Sequence, residues 1–490
     1  MPITFFQNIL RNTIIEFNCI RVLFIFFWNV LAVFVPCSYH PLLILLYLKI
    51  NRKMFLVESK AGAVACMLLS LLLLGTWPAI LTLLERRGRL PQHTYLDYSI
   101  TNFLAAVLIA LTFGQIGDSK PNMPNFITQL SQDTWPCVLM AMLGGLFLSL
   151  GNVSIQYAWA FVGLSVAQVI TSSIAVVIGT SLNYFLDDKI NKASILFPGV
   201  GCFLTAVLLG SAVHSSNAAD NVAKLRSFHE NMNMKDTPDV PEDSDVKAGK
   251  SEKDILEDIE VGDLSVEETK KAGTAESIIA VENKRAIKVV GKSKIVGMSI
   301  TTFAGICFAL FSPVFNLATN DQWHFLKEGV PHLVVYTAFF YFSLSFVVVA
   351  VALNVAFLYR PLLNLPKSSL KNYLKDGNGR AWAVFAGLLC GFGNGLQFIG
   401  GQAAGYAAAD AVQALPLVST FWGVIFFGEY RRSSKRTYVY LVSMLFMFSV
   451  AVALLLASAG HRQSPKGVKK TSIVQRRRFD NFYAVGSFDT

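Results

Sequence analysis

From Met54 onward the chain alternates long apolar stretches with short polar breaks. A hydrocarbon core about 30 Å thick needs about 20 apolar residues in a helix to cross it. Ten stretches reach that length, near 61–83, 96–116, 135–156, 160–185, 193–213, 295–318, 333–358, 381–403, 405–428 and 437–458. Gly and Pro stand inside many of them, as in spanning helices packed backbone to backbone. The pattern predicts an all-α polytopic membrane protein with ten transmembrane helices.

Two segments break the pattern. Residues 214–294 hold one aromatic, Phe228, no Cys, and acidic stretches such as DVPEDSD and EKDILEDIEVGD. Such a segment has too little apolar surface to fold alone, and is expected to be a disordered acidic loop with a basic juxtamembrane end. Residues 1–53 carry a further apolar run at 17–37 and a shorter one at 41–50, ahead of MFLVESKAGAVACMLL, which reads as a natural start. The extension is either a mispredicted first exon, the favoured reading, or an extra helix. Its apolar stretch is too long for a cleaved secretory signal. The expected division is therefore 1–53 extension, 54–213 first five helices, 214–294 loop, 295–460 second five, and 461–490 basic tail.

The halves resemble one another. A shift of 242 pairs Gly145 with Gly387, Gly151 with Gly393, Asn152 with Asn394, Gly163 with Gly405, Phe185 with Phe427 and Asp187 with Glu429. A shift of 235 pairs Gly62 with Gly297 and Pro78 with Pro313. Five helices are an odd number, so two such repeats enter the bilayer in opposite orientation. Inverted repeats with a site between them near the midplane are the architecture of many secondary transporters.

Composition agrees with the pattern. The chain is 53% hydrophobic and 15% charged, against about 25% charged in soluble domains, which excludes a soluble fold. The seven Cys form no C-x-x-C pair, so a disulfide framework or zinc site is not expected; they read as small packing residues. The net charge of +10 sits in short loops and the tail, where it sets topology rather than binding nucleic acid. ERRGR at 85–89, the Arg360–Arg380 loop and EYRRSSKR at 429–436 carry three, five and four Lys or Arg on one side. That vote places them and loop 214–294 in the cytosol. The tail after His461, with seven Lys or Arg, falls on the other side and dissents.

Several segments are familiar. GFGNGLQFIGGQAAGYAAADAVQALPLVSTFWG (391–423), FFGEYRRSS (426–434), FSPVFNLATNDQWH (311–324), VYTAFFYFS (335–343) and LLGTWPAILTLLERRGRLPQHTYLDY (73–98) closely resemble plant ureide permeases, of the drug/metabolite transporter superfamily. The resemblance covers about residues 54–460. It implies ten helices in a plant plasma membrane. It also implies proton-coupled uptake of allantoin and of oxo-nitrogen heterocycles such as uracil and xanthine, with no cofactor beyond the proton gradient.

One motif argues for another class. AIKVVGKS, residues 286–293, fits a loose phosphate-loop pattern in which Ala286 replaces the first Gly. A working phosphate loop follows a strand and opens a helix, but here ENKR precedes it and an apolar run follows. The favoured reading is a basic collar of Lys284, Arg285, Lys288, Lys292 and Lys294 against anionic headgroups. Nucleotide binding by Ala286, Gly291, Lys292 and Ser293, in a nucleotide-regulated membrane protein, is the alternative.

Asp410, in GYAAADAVQALP, is the one acid deep inside an apolar run. Ionisable groups in a membrane are functional candidates by default, and a carboxylate in a low-dielectric cavity can take and release protons near neutral pH. Tyr406 and Gln413 are expected on its helical face. A ureide offers N–H donors and C=O acceptors, which carboxamides match. The resemblance therefore points to Asn152, Gln156, Gln168, Asn394, Gln397, Gln402 and Gln413 in a pocket for a small neutral heterocycle, with Trp77, Tyr406 and Trp422 as stacking candidates. Amides that hold helices together and aromatics that only pack are the competing readings. A membrane enzyme would need clustered His, Asp or Cys at one depth, which the sequence lacks. A carrier of phosphorylated sugars would need buried Lys or Arg. A drug/metabolite-type carrier of another small neutral nitrogen compound stays open.

Overall fold

A computed structural model describes residues 57, 59–116, 119, 123–236, 274–287, 294–362 and 365–460. The N-terminal extension, the centre of the 214–294 segment and the basic tail lie outside the described residues. Among the described residues all regular elements are helices, and ten are long and apolar enough to cross a membrane. They are α1 Lys60–Arg86, α2 Pro91–Thr112, α3 Trp135–Val162, α4 Leu164–Leu186, α5 Ala193–Asp236, α6 Lys294–Asn320, α7 Val335–Tyr359, α8 Arg380–Ala404, α9 Tyr406–Phe427 and α10 Lys435–Ala457. Leu208, Val442, Phe446 and Phe185 stand bare on the outside, a surface that water would penalise and lipid accepts.

The packing pairs come in matched sets. α1 lies against α8 as α3 lies against α6; α2–α8 is matched by α3–α7, and α1–α9 by α4–α6; α2–α7 and α5–α10 close the set. Small residues permit the closest crossings. A Cβ on Gly145 of α3 would strike the backbone of Phe342 in α7, and one on Gly387 of α8 would strike the backbone of Tyr98 in α2. Pro78 and Pro313 lie inside α1 and α6.

Two single glycines break the long apolar runs. Gly163 joins α3 to α4 at φ 85° and ψ 157°, and Gly405 joins α8 to α9 at φ 102° and ψ 133°. Side chains rarely adopt such backbone, so each chain reversal needs its glycine. The helix after each break is also irregular. α4 passes through a π turn at Ala175–Gly179, and α9 begins as Tyr406–Ala409 and tightens to a 3₁₀ turn at Asp410–Gln413.

The bundle has two ends. Arg86, Pro91, Val162, Tyr359, Arg380, Phe427 and Lys435 mark one, called here the Glu85 end; Asp187, Asn320 and Gly405 mark the other, the Asp187 end. Each end carries an acid that caps the neighbouring broken helix. Asp187 Oδ2 accepts the backbone N–H of Tyr406 at 2.6 Å, and Glu429 Oε2 accepts the Ser165 hydroxyl at 2.9 Å. Negative charge at a helix N-terminus is favourable. Arg86 completes the second cap, 3.0 Å from Glu429 and stacked 4.1 Å over the Phe427 ring.

The structure carries helix into both edges of segment 214–294, where the sequence predicted disorder. α5 has 44 residues, about 66 Å of helix, twice the hydrocarbon thickness. Its extra turns are held by neighbours distant in sequence. Asp220 accepts the Ser434 N–H and the Thr437 hydroxyl, each at 2.8 Å, and Lys224 donates to the Arg431 carbonyl at 3.0 Å. A second helix, Ala275–Lys284, precedes the short strap Arg285–Ile287.

Candidate functional site

Polar side chains gather in two groups, one near the bundle centre and one towards the Asp187 end. The central group joins α1, α2, α3 and α8. Asn152 Nδ2 donates to the Tyr98 hydroxyl at 2.9 Å, which donates to Cys390 Sγ at 2.8 Å; Asn394 Nδ2 reaches the same sulfur at 3.3 Å. The Trp77 ring lies 5.0 Å from Tyr98 and 5.5 Å from Trp159. Asn152, Asn394 and Trp77 were legible as candidates in the sequence. Tyr98 and Cys390, which tie them together, were not. The cysteine read as packing, and it does pack, but it also accepts two hydrogen bonds.

Unpaired polar atoms surround this group. Among the described residues both amide atoms of Gln397 lack a partner, as do Gln156 Nε2, Trp159 Nε1 and Thr82 Oγ1. A buried polar group left unpaired costs about 1–3 kcal/mol, so such a cluster calls for an explanation. Gln156, Trp159 and Thr82 line a small pocket at the Glu85 end with Leu81, Glu85 and Pro91.

The second group is built round Asp410, 2% exposed on the 3₁₀ turn of α9. Among the described residues no Lys, Arg or His forms an ion pair with it. Asn183 Nδ2 of α4 donates to Asp410 Oδ2 at 2.9 Å and to the Ser312 hydroxyl at 3.0 Å. Asn316 Nδ2 donates to Asn183 Oδ1 at 3.1 Å, and Asn320 donates to Asn316 Oδ1 and, at 3.0 Å, to Asp187 Oδ1. A continuous chain of side-chain hydrogen bonds thus joins Asp410 to Asp187, whose other oxygen caps α9. Sequence reading found Asp410 and missed Asn183, Asn316 and Asn320. Their only local signal was the i, i+4 spacing of Asn316 and Asn320.

The remaining candidates fall elsewhere. Tyr406 turns from Asp410 towards Thr319 and Gln402, with its hydroxyl 2.9 Å from each. The tightening to 3₁₀ geometry after Ala409 breaks the 3.6-residue face on which the three residues were expected together; Asp410 and Gln413 stay aligned, because i and i+3 eclipse in that geometry. Gln168 and Gln413 are buried on α4 and α9. Trp422 donates to Thr76 Oγ1 at 3.0 Å and stacks on Phe426 at 4.7 Å, an engagement at the bundle side rather than in the central group. Of the phosphate-loop residues, Gly291, Lys292 and Ser293 lie outside the described residues. Ala286 follows a helix, and its N–H donates to the Glu85 carbonyl at 3.0 Å.

Asp410 is not the only buried acid. Asp97 of α2, 6% exposed, meets Arg89 at 2.6 Å, Arg380 at 3.3 Å and the Tyr373 hydroxyl at 2.7 Å. Beside it His93 Nδ1 lies 2.7 Å from Asp376 Oδ2 and Nε2 lies 2.8 Å from Ser368 Oγ. Burial works against the Asp376 carboxylate, but the His93 contact, the Arg89 charge and the Asn378 N–H outweigh it and hold its pKa below the usual aspartate value. This network clamps the loop after α7 to the start of α2. The sequence hid it because Arg380 and Asp376 are nearly 300 positions from Asp97 and His93.

Comparison with known proteins places this geometry. The ureide permease family model matches residues 94–458. The chain is 68% identical to ureide permease 2 of Arabidopsis thaliana over 410 residues, 84% of this chain and 100% of the relative. It is 64% identical to ureide permease 1 of the same plant over 412 residues, again 84% and 100%. It is 63% identical to probable ureide permease A3 of Vigna unguiculata over 387 residues, 78% of this chain and 100% of that protein. No solved structure matches the chain. With ten apolar spans, a buried polar centre and this coverage, the chain belongs to the ureide permease family of integral membrane permeases, which are not enzymes.

Proposed function

We propose that this chain is a proton-coupled secondary transporter for ureides such as allantoin and for oxo-nitrogen heterocycles such as uracil and xanthine. The observation that carries the reading is the pairing of two features inside one bundle: carboxamide and indole groups, between the centre and the Glu85 end, that have no partner among the described residues, and a carboxylate with no cation paired to it among them towards the other end. Amides and indoles match a neutral ring of carbonyls and N–H groups. Asp410 carries the proton in this reading, and Asn183 with the chain to Asp187 connects it to the bundle end. The relatives' names speak of ureide permeases; that substrate class is adopted here for this chain.

The ten helices act in this reading as two inverted repeats. Support comes from the exchange of packing pairs between halves, and from the matched breaks at Gly163 and Gly405 with their matched caps. The Glu85 end faces the cytosol, by the charge of its short loops, and the membrane is a plant plasma membrane by resemblance. The proton gradient is the driving force and no cofactor is required.

The test is uptake of labelled allantoin in yeast lacking its own permeases, across external pH, with unlabelled uracil as competitor. Acid-stimulated, uracil-competed accumulation is expected, and Asp410→Asn, which keeps shape and removes titration, is expected to abolish the acid stimulation. Full proton-driven accumulation by that variant at normal surface level would refute the coupling role.

A further inference from the structure

The chain that links the two halves comes back to the bundle in a fixed place. The helix Ala275–Lys284 rests on α5 and α1, with Ile279 buried. The strap Arg285–Ile287 then crosses the last turn of α1. Arg285 grips the Glu85 carboxylate with two nitrogens, Nε on Oε1 and Nη2 on Oε2, each at 3.2 Å. The Ile287 N–H donates to Oε1 at 3.1 Å, and the Ala286 N–H to the Glu85 carbonyl at 3.0 Å. Ile287 is fully buried. The approach is close, for a Cβ on Gly88 would come within 2.8 Å of the Lys284 carbonyl oxygen. Two-pronged guanidinium–carboxylate pairs combine charge with fixed geometry. The Arg285 and Glu85 side chains are 13% and 10% exposed, so solvent screens this pair less than a surface one.

The strap joins helices that otherwise pack on different partners: α1 lies on α8 and α9, and α5 on α10. The carboxylate it holds stands in the wall of a water-sized space shared with Thr82, Gln156 and Trp159, all of them buried. The Glu85 end is therefore shut, and the strap is fastened to the residue at its edge. We propose that residues 275–287 are a latch, which ties α1 to α5 and keeps the Glu85 end shut until the grip of Arg285 on Glu85 is released. The inference rests on the carrier reading only in taking the bundle to open at either end in turn. Four hydrogen bonds are made when this end is shut and lost when it opens, and a contact made in one state alone shifts the balance towards that state. The first residues of AIKVVGKS, Ala286 and Ile287, thus serve a mechanical contact.

The test is thiol labelling of the full chain in lipid nanodiscs, without substrate. Thr82→Cys reports on the Glu85 end and Thr337→Cys on the Asp187 end. The two residues are 3% and 1% exposed, and their hydroxyls have no partner among the described residues. Labelling of the chain without either reporter is subtracted. Arg285→Gln removes the charge and the two-pronged grip. Ala286→Pro removes one N–H donor, and Arg285 at φ −66° and ψ 152° already has the backbone that a following proline requires. Labelling at Thr82→Cys is expected to quicken about tenfold in Arg285→Gln, the worth of a hydrogen bond to a charged group, and about fivefold in Ala286→Pro. Labelling at Thr337→Cys should not quicken in either. If Arg285→Gln does not fold, Ala286→Pro, which keeps both charges, is read by the same rules. Unchanged labelling at Thr82→Cys overturns the latch. Equal quickening at both ends overturns it too, because it marks a strap that only stabilises the fold. The labelling needs no allantoin, so a wild type at the surface that takes up none overturns the ureide reading and leaves the latch standing.

Discussion

Towards the Asp187 end the interior is filled with phenyl rings, whereas towards the Glu85 end it holds buried indole, amide and hydroxyl groups. Phe315 and Phe398 stack face to face, 3.6 Å between centroids at 8°, with Phe342 at 5.2 Å and Phe339 at 5.8 Å from Phe398. Beside them an asparagine chain joins Asp410 to Asp187, while the Thr180, Thr337 and Ser343 hydroxyls have no partner among the described residues. At the Glu85 end Gln156 Nε2, Trp159 Nε1 and Thr82 Oγ1 have no partner among the described residues. The shift of 242 that pairs Asn152 with Asn394 also pairs Gln156 with Phe398. One bundle thus holds a cluster of stacked rings on one side and buried indole and amide groups on the other. Matched helix pairings do not require matched interiors, and a carrier that opens alternately to either side needs the two ends to differ at any moment.

Exchanging those two residues is the sharpest way to break the comparison. Phe398→Gln removes a fully buried ring and places an amide among the rings of Phe311, Phe315, Phe339 and Phe342. Loss of a buried Phe costs about 3–5 kcal/mol, and an unpaired amide adds to that. A large fall in thermal stability in detergent is expected. Gln156→Phe fills the pocket with apolar surface, and its stability should change far less while uptake falls. Equal destabilisation by both would mean that the two interiors are packed alike.

Asn183→Leu comes next in size. It removes two donors and one acceptor at once, leaving Asp410, Ser312 and Asn316 short of partners. A lost bond to a charged acceptor is worth about 1.5–3 kcal/mol. Stability should fall by that order, and the acid stimulation of uptake should fall with it if the chain to Asp187 serves the proton. Retained acid stimulation in a folded Asn183→Leu protein would detach the asparagine chain from coupling and leave it a packing device.

How much of this was legible in the sequence follows from the range of each interaction. The ten spans were, because a bilayer imposes length and apolarity on each helix by itself. The breaks at Gly163 and Gly405 appeared as matched positions, since the backbone there admits only glycine. Asp410 appeared because a lone acid in an apolar run needs no partner to be noticed. Its donor did not: Asn183 is 227 positions away, in a stretch, TSLNYF, with no local oddity. Tyr98 and Cys390 were hidden for the same reason, their bond spanning 292 positions. The long α5 was missed because its outer turns are held by Ser434 and Thr437 rather than by their own composition.

A smaller effect tests the clamp at the Glu85 end. The Asp376 carboxylate is stabilised by His93, Arg89 and the Asn378 N–H against the cost of burial, so its folded pKa lies below its unfolded one. Its contribution is therefore fully present above the ordinary aspartate pKa of about 4. It is lost as pH falls from there through the lower folded value. Hydrogen exchange in residues 365–380 should quicken over that acid window in the wild type. In Asp376→Asn it should be quick already at neutral pH and show no further step. A simultaneous loosening of both ends would point to global unfolding instead.

The smallest expected effect belongs to the loop motif. In a working phosphate loop the Lys holds the transferred phosphates, and its loss would stop a nucleotide-driven engine. The residues leading into this motif do something else: Arg285, Ala286 and Ile287 are spent on Glu85 at the end of α1. A segment whose backbone N–H groups at Ala286 and Ile287 already donate to Glu85 cannot offer those groups to a phosphate. Lys292→Ala should therefore leave allantoin uptake within about twofold, as expected for one member of a basic collar worth about 1 kcal/mol per charge near an anionic surface. Complete loss of uptake at normal surface level would mean that nucleotide acts on this chain. The contrast between its two ends would then be a nucleotide-controlled state rather than one half of an alternating cycle.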